Sequence, residues 1–289
     1  MIDSLTQSSV NQFFKCGVQF EFRWVRGLII PPGIAARKGS SVHRSAEHDY
    51  RAVIDSGKPA PEDEVADMTR DEFVRLCKDE GVFLSAEDKA DKDVLLGAAL
   101  DEAVNAAKFH HRRIVPQKKK IALIEERLHA DVGLPLPISG KPDLVADGVL
   151  DDLKTASKRW PSGREDQEIQ PTVYRMLLRK NGYGDLPAQY TILTNMKKAP
   201  KDDALLWDDE TMVCADIRQA PRDEQDEAVL LRRMEMMTQM LERGDFLPAT
   251  TGAWWCSEKW CGYASICPYI KLGAMSLSER IPLIHAMEE

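Results

Sequence analysis

The stretch Ile138–Trp160, ISGKPDLVADGVLDDLKTASKRW, limits the possible folds of this chain more than any other. Two short apolar runs flank the segment Ala146-Asp147-Gly148-Val149, and a tight turn there makes them a β-hairpin. Acids nevertheless stand inside the runs: Asp143 just before Leu144, and Asp152 with Lys154 on either side of Leu153. Residues two apart share one face of a strand, so Asp152 and Lys154 point one way while Leu153 points into the core. The hairpin brings Asp143, on the preceding strand, close to Asp152. Paired carboxylates repel unless a cation lies between them or one takes a proton. Mg²⁺ or Mn²⁺ suits that need, being hard, oxygen-seeking and left with open water positions by so few ligands. Water on such an ion becomes a nucleophile, and a nearby lysine can orient it or balance charge at phosphorus. The plainer alternative is a surface hairpin with solvated acids and one salt bridge, because Asp-x-Lys is common by chance.

Companion residues weigh against that alternative. Gly140 stands three residues before Asp143, and Gln170 and Tyr174, four apart, share a face of the following helix. Upstream, Ser4 to about Trp24 reads as helical, and Pro31-Pro32-Gly33 makes a turn. Ser40 or Ser41 is expected to cap a further helix that carries His43 and Glu47 on one face, and a neutral imidazole can complete a metal shell. Residues 58–115 are charged and read as a mostly helical insert. From Lys120 the chain turns to short strands, then a helix closed by Gly182, in which Pro171 implies a late start or a kink. Two more strands follow, PAQYTILTN and ALLWDDETMVCADI, and a long amphipathic helix from about Asp223 to Arg243 stops at Gly244.

The motifs GSSVH, GKPD, DLK and QPTVY occur in that order. In these the chain resembles the PD-(D/E)xK nuclease superfamily, and within it the RecB-like exonucleases, including the CRISPR-associated and phage RecB-type enzymes. The resemblance implies an α/β fold with a restriction-endonuclease-like core, a central mixed sheet flanked by helices. It further implies one nuclease domain over residues 1–289, with 58–115 as the insert. Carried over, His43, Asp143, Asp152 and the backbone carbonyl of Leu153 bind the metal. Lys154 becomes the catalytic lysine, while Gln170 and Tyr174 arrange the site and the DNA strand. Glu125 and Glu126 lie near where many relatives carry a further acid, and the sequence does not choose between them.

Cys256, Cys261 and Cys267 fall in a tryptophan-rich loop within residues 250–270, one thiolate short of a four-ligand site. Cys16 is the best fourth ligand and would staple the two ends of the chain. Iron–sulfur members of the RecB-like group resemble this arrangement, which implies a 4Fe–4S cluster; a four-cysteine zinc site is the alternative. The first C-terminal gap is longer than that pattern leads one to expect, and Gly17 stands where a proline is often found. Cys77 and Cys214 read as core thiols.

The net charge of -8 argues against non-specific coating of nucleic acid, though not against a local basic groove. Lys158, Arg159 and Arg164 follow the acidic strand and are the candidates for the DNA backbone, with Trp160 among them expected to anchor rather than stack. His110 and His111 are expected at a solvated helix end. No phosphate-binding loop is encoded, since Pro142 stands where Ser or Thr must hold Mg²⁺, so any helicase or recombination partner is a separate chain. With no membrane partner, signal peptide or spanning segment in view, the expected location is the cytoplasm. Taken together, these features lead to a Mg²⁺/Mn²⁺-dependent DNA exonuclease acting on single strands or duplex ends in recombination, repair or phage DNA processing. An iron–sulfur DNA-end-binding adaptor with little hydrolysis, or a structure-specific endonuclease, is the alternative. The complete His, Asp, Asp and Lys set favours the enzyme.

Overall fold

The hairpin forms where its turn chemistry puts it, between β4 (Leu144–Ala146) and β5 (Val149–Ala156). Asp147 and Gly148 both take left-handed backbone, φ 55° and 77°, the conformation that a two-residue turn needs to match strand twist. Asp143 ends up just ahead of β4 rather than within it. This computed structural model describes residues 2–85 and 87–270; residues 1, 86 and 271–289 of the expected domain lie outside the described residues.

The N-terminal part is α1 (Gln7–Lys15), a short α2 (Gly17–Phe20) and a π-helical turn, Glu21–Val25. Then come α3 (Ile34–Ser56), α4 (Glu62–Asp79) and α5 (Lys92–Arg113). Strands β1 (Ile121–Ile124), β2 (Leu128–Ala130) and β3 (Ile138–Gly140) precede the hairpin. After β5 follow α6 (Arg164–Gln167), α7 (Gln170–Lys180), β6 (Ala188–Asn195), β7 (Leu206–Asp208), β8 (Val213–Gln219) and α8 (Glu224–Arg243).

The main sheet has the order β1-β4-β5-β6-β8-β7, and only β5 and β6 run parallel. A parallel pair needs a crossover, which α7 supplies. This is an α/β fold with a central mixed sheet flanked by helices. One face packs Val145 and Leu150 against Val173 and Leu177 of α7 and Met234 of α8. The opposite face packs Leu144, Leu153 and Leu193 against Val42 and Tyr50 of α3 and Phe109 of α5.

Three sequence expectations need correction. Helix α3 starts at Ile34 with Gly33 as its cap, so the Pro-Pro-Gly turn itself opens the helix. Ser41 lies inside it, its hydroxyl donating to Lys38 O at 2.8 Å. The segment ALLWDDETMVCADI is a hairpin rather than one strand, because Asp208 Oδ1 accepts from the backbone N–H groups of Glu210 and Thr211 and turns the chain. His110 is not solvated: it is buried against α3, bonded to the Tyr50 hydroxyl at 3.0 Å, and His111 meets Asp49 at 2.8 Å. Trp160 does act as an anchor, packed on Tyr190 at 5.1 Å between ring centres.

Candidate active site

Alternation along β5 places Asp152 and Lys154 on the face that carries α7, and Leu153 on the face that carries α3. The first turn of α7 then decides how the polar pair is held. Pro171 sits at the helix start, where its missing N–H costs nothing, and the preceding Gln170 is buried over β5. Its side chain bridges the pair: Nε2 donates to Asp152 Oδ1 at 2.7 Å, and Oε1 accepts from Lys154 Nζ at 2.8 Å. One turn later Tyr174 donates its hydroxyl to Lys141 O at 3.0 Å and accepts from Gln170 Nε2 at 3.0 Å. Its ring lies so close to Gly140 that a Cβ there would come within 2.8 Å of both Tyr174 and Leu177. Glycine at 140 therefore lets the segment that delivers Asp143 pack on α7.

Asp143 is fixed from β5, because its Oδ2 accepts from the Leu153 N–H at 2.8 Å. Its other oxygen lies 3.4 Å from His43 Nδ1, which descends from α3. Glu125, the residue after β1, brings Oε1 to 3.4 Å from the same nitrogen and Oε2 to 2.7 Å from Lys141 Nζ. Glu125 takes φ 46°, left-handed backbone that is uncommon away from glycine, and its N–H donates to Asp143 O at 3.1 Å. Ligand atoms of His43, Glu125 and Asp143 all lie within 4.8 Å of one another. Glu126 is exposed. Of the two acids that the sequence left open, Glu125 is the one at the site.

Asp152 stands beside this trio. Its Oδ2 is buried against the Lys154 ammonium, at 2.5 Å. Burial, then the Asp143 charge, pushes the Asp152 carboxyl up to about 7, with Lys154 pulling the other way. For Asp143, burial is outweighed by His43, Lys154 and the Leu153 N–H, which hold it below its ordinary value. Burial would lower His43, yet Asp143 and Glu125 raise it to about 10. Burial likewise opposes the charge on Lys154, and Asp152 and Asp143 still raise its pKa. These groups are thus an acid-rich pocket held together by borrowed positive charge, His43 and Lys154 standing where a cation would act. The donor set, two carboxylates and an imidazole with a third carboxylate alongside, fits a hard divalent ion.

The other expected residues scatter around this point. Lys158 is exposed, Arg159 pairs with Asp202 at 3.4 Å, and Arg164 pairs with Glu168 at 3.3 Å while lying over the Trp160 ring. Two residues at the site were not singled out from the sequence. Lys141 was hidden because its role depends on the β1–β4 pairing that brings Glu125 alongside. Asp151, buried on the α3 face, pairs with Lys118 and accepts from Thr191 Oγ1 at 2.7 Å and Gln189 Nε2 at 2.9 Å.

Far along the chain from this site, Cys16, Cys256, Cys261 and Cys267 share one apolar cluster with Phe22 and Tyr263. Cys16, Cys261 and Cys267 are buried and Cys256 is half-buried, and burial raises the thiol pKa of Cys256 and Cys267. Of the two remaining thiols, Cys214 is buried in β8 and Cys77 is half-buried in α4.

Residues 4–268 match a family model described as the PD-(D/E)XK nuclease superfamily. A crystal structure from Eubacterium rectale, named "Putative exonuclease", is similar at TM-score 0.54 and 14% identity, covering 96% of this chain and 92% of its own. No curated protein matches the chain.

Proposed function

Because this chain belongs to the PD-(D/E)XK nuclease superfamily, we propose that it is a Mg²⁺- or Mn²⁺-dependent DNA exonuclease of the RecB-like group. The observation that carries this reading is the convergence of α3, the end of β1, the start of β4 and the middle of β5 on one point. His43, Glu125 and Asp143 hold the ion there, with Asp152 and the Leu153 carbonyl as the further ligands. When bound, a divalent ion supplies an acidified water and positive charge at the phosphoryl oxygens. Lys154, kept protonated by its two carboxylates, donates to the attacking water or to a phosphate oxygen. Gln170 keeps that ammonium aimed by holding it against Asp152. His43 would serve as a ligand only as the neutral ring, so protons and the ion would compete for it. Tyr174 acts through position alone, pinning the backbone at Lys141.

The same proposal covers the other features. Lys158, Arg159 and Arg164 contact the DNA backbone, exchanging surface ion pairs for phosphate. Cys16, Cys256, Cys261 and Cys267 hold a 4Fe–4S cluster, supported by their shared apolar setting. No described helix is long and apolar enough to cross a membrane, and the proposed setting is the cytoplasm, within a single nuclease domain.

The test is hydrolysis of linear and circular single-stranded DNA by anaerobically purified protein with Mn²⁺. An exonuclease shortens the linear strand from its ends and leaves the circle intact. Cutting of circles at the same rate would make it an endonuclease.

A further inference from the structure

The loop that carries three of the cysteines also exposes aromatic surface that its own packing does not use. Trp254 is 64% exposed and Trp260 57%, and their rings meet edge to face at 5.4 Å. Trp255 joins from the other side of Trp254 at 5.7 Å. Tryptophan offers the largest area to bury of any side chain, so two left open together mark a surface that meets something else. Two cations frame them: Lys15 Nζ lies 5.3 Å from the Trp255 ring centre and Lys259 Nζ 5.9 Å from that of Trp260. Flat rings edged by ammonium groups suit a polymer of flat bases joined by phosphates.

A second, independent feature is a groove along α3 beside the acid-rich pocket. A groove lined by Ala36, Gly39 and Ser40 of α3, with the cations Arg44 and Lys141 set against the acids Glu47 and Glu72, includes the metal-ligand trio His43, Glu125 and Asp143. Small side chains at 36, 39 and 40 leave its floor open. The cysteine loop stands at the other end of α3. A Cβ on Gly262 would fall 2.4 Å from Ile30 Cγ2, four residues before the helix begins, and Lys259 pairs with Glu87 at 2.6 Å. From Ile34 to His43 the helix rises about 13 Å, a distance that a few nucleotides of single strand cover.

We propose that Trp254 and Trp260 form a stacking platform for single-stranded DNA, holding the strand several nucleotides from the phosphate that is cut. This rests on the nuclease reading of the pocket and adds a substrate class to it: a single strand long enough to touch both places. Neither tryptophan belongs to the metal or thiol set, so both can be changed without touching the chemistry.

The test uses the full chain with its cysteine site intact, in Ca²⁺ to hold off cleavage. Fluorescein-labelled oligothymidylates of about four and about twenty nucleotides are titrated against the parent, Trp254→Ala/Trp260→Ala and Trp254→Phe/Trp260→Phe. The alanine variant is expected to lose about tenfold or more in affinity for the long oligonucleotide, the two lengths becoming nearly equal, while the phenylalanine variant recovers most of the loss. Unchanged affinity for the long strand overturns the platform. So does an alanine variant whose only change is the loss of a self-associated state in sedimentation, since the tryptophans would then face a second copy. Hydrolysis of bis(p-nitrophenyl) phosphate, too small to reach the loop, separates the two readings. If parent and variant hydrolyse it alike with Mn²⁺ while long-strand affinity falls, both stand. If neither hydrolyses it but the affinity difference persists, the platform stands and the nuclease reading fails.

Discussion

Around His43 and Asp143 the potential ligands are oxygens and an imidazole nitrogen, packed within 4.8 Å and partly neutralised by Lys154 and Lys141. Around Cys16 and Cys261 they are sulfurs in apolar packing, with a Gln19 amide donating to Cys261 Sγ at 3.1 Å. The first region is a site where Lys141 and Lys154 compensate the acids only in part. Its Asp152 is pushed up to about 7 by burial and a neighbouring acid, an arrangement that costs stability when no cation is present. The second region resolves nothing by charge and instead ties residue 16 to residues 256–267. On the proposed function, chemistry and stability are divided between two ligand clusters, and the division can be attacked from either side.

Changing the acid-rich pocket should have the largest effect. Lys154→Ala and Asp143→Asn are expected to cut hydrolysis by about a thousandfold or more, roughly 4 kcal/mol of barrier, with circular dichroism unchanged. The stability effect should run the other way. Between its ordinary value and about 7, Asp152 binds more proton in the folded than in the unfolded chain, so stability falls as pH rises through that range. Asp152→Asn should therefore raise the melting temperature of metal-free protein at pH 8. A lower one would mean that the carboxylates do not strain each other.

In the cysteine loop the order of effects should reverse. Cys16→Ala is expected to bleach the brown colour of anaerobic protein and to open the loop at 250–270 to protease, although residue 16 is far away in sequence. Closing a loop of about 240 residues with a metal clip stabilises by several kcal/mol in principle, so melting should fall steeply while activity per folded molecule survives. A fully coloured, protease-resistant variant would contradict the clasp.

A finer probe separates ligand from catalyst within the pocket. His43→Ala should move the Mn²⁺ midpoint for activity up by about 10–100-fold while changing the rate at saturating metal far less. An unmoved midpoint would leave His43 a structural partner of Glu125. The smallest effect concerns the α3–α5 packing behind the pocket. Burial lowers His110 to about 3, below its unfolded value, so its share of stability is complete above about pH 6.5 and drains away as pH falls toward 3. His110→Gln, which can still accept from Tyr50, should lose less stability than the parent as pH falls over that window. Equal acid slopes would show that His110 is not held neutral.

Much of this was legible in the chain because the informative signals were local. The Asp147-Gly148 turn, the alternation of Asp152, Leu153 and Lys154, the late helix start at Pro171 and the Gly244 stop each depend on a few neighbouring residues. Tertiary pairings were not legible. Nothing local separates Glu125 from Glu126; what selects Glu125 is a left-handed backbone at the end of β1 and the pairing with the residue before β4. Lys141 and Asp151 were missed for the same reason, their partners lying on other strands. His110 was misread because a charged flank, Arg112-Arg113, follows a face that α3 covers. Helix α3 began earlier than its serines implied because a proline-proline-glycine turn can start a helix as well as a hydroxyl can.

The central claim is that hydrolysis belongs to the Asp152 pocket and requires a divalent ion. Its most direct test is the rate at which end-labelled single-stranded DNA is degraded by the parent and by Asp152→Asn across a Mn²⁺ titration. The parent should be inactive in chelator and saturate with Mn²⁺, and the variant, equally folded, should stay at background at every concentration. A variant that degrades DNA at close to the parental rate, or a parent indifferent to chelator, would contradict it.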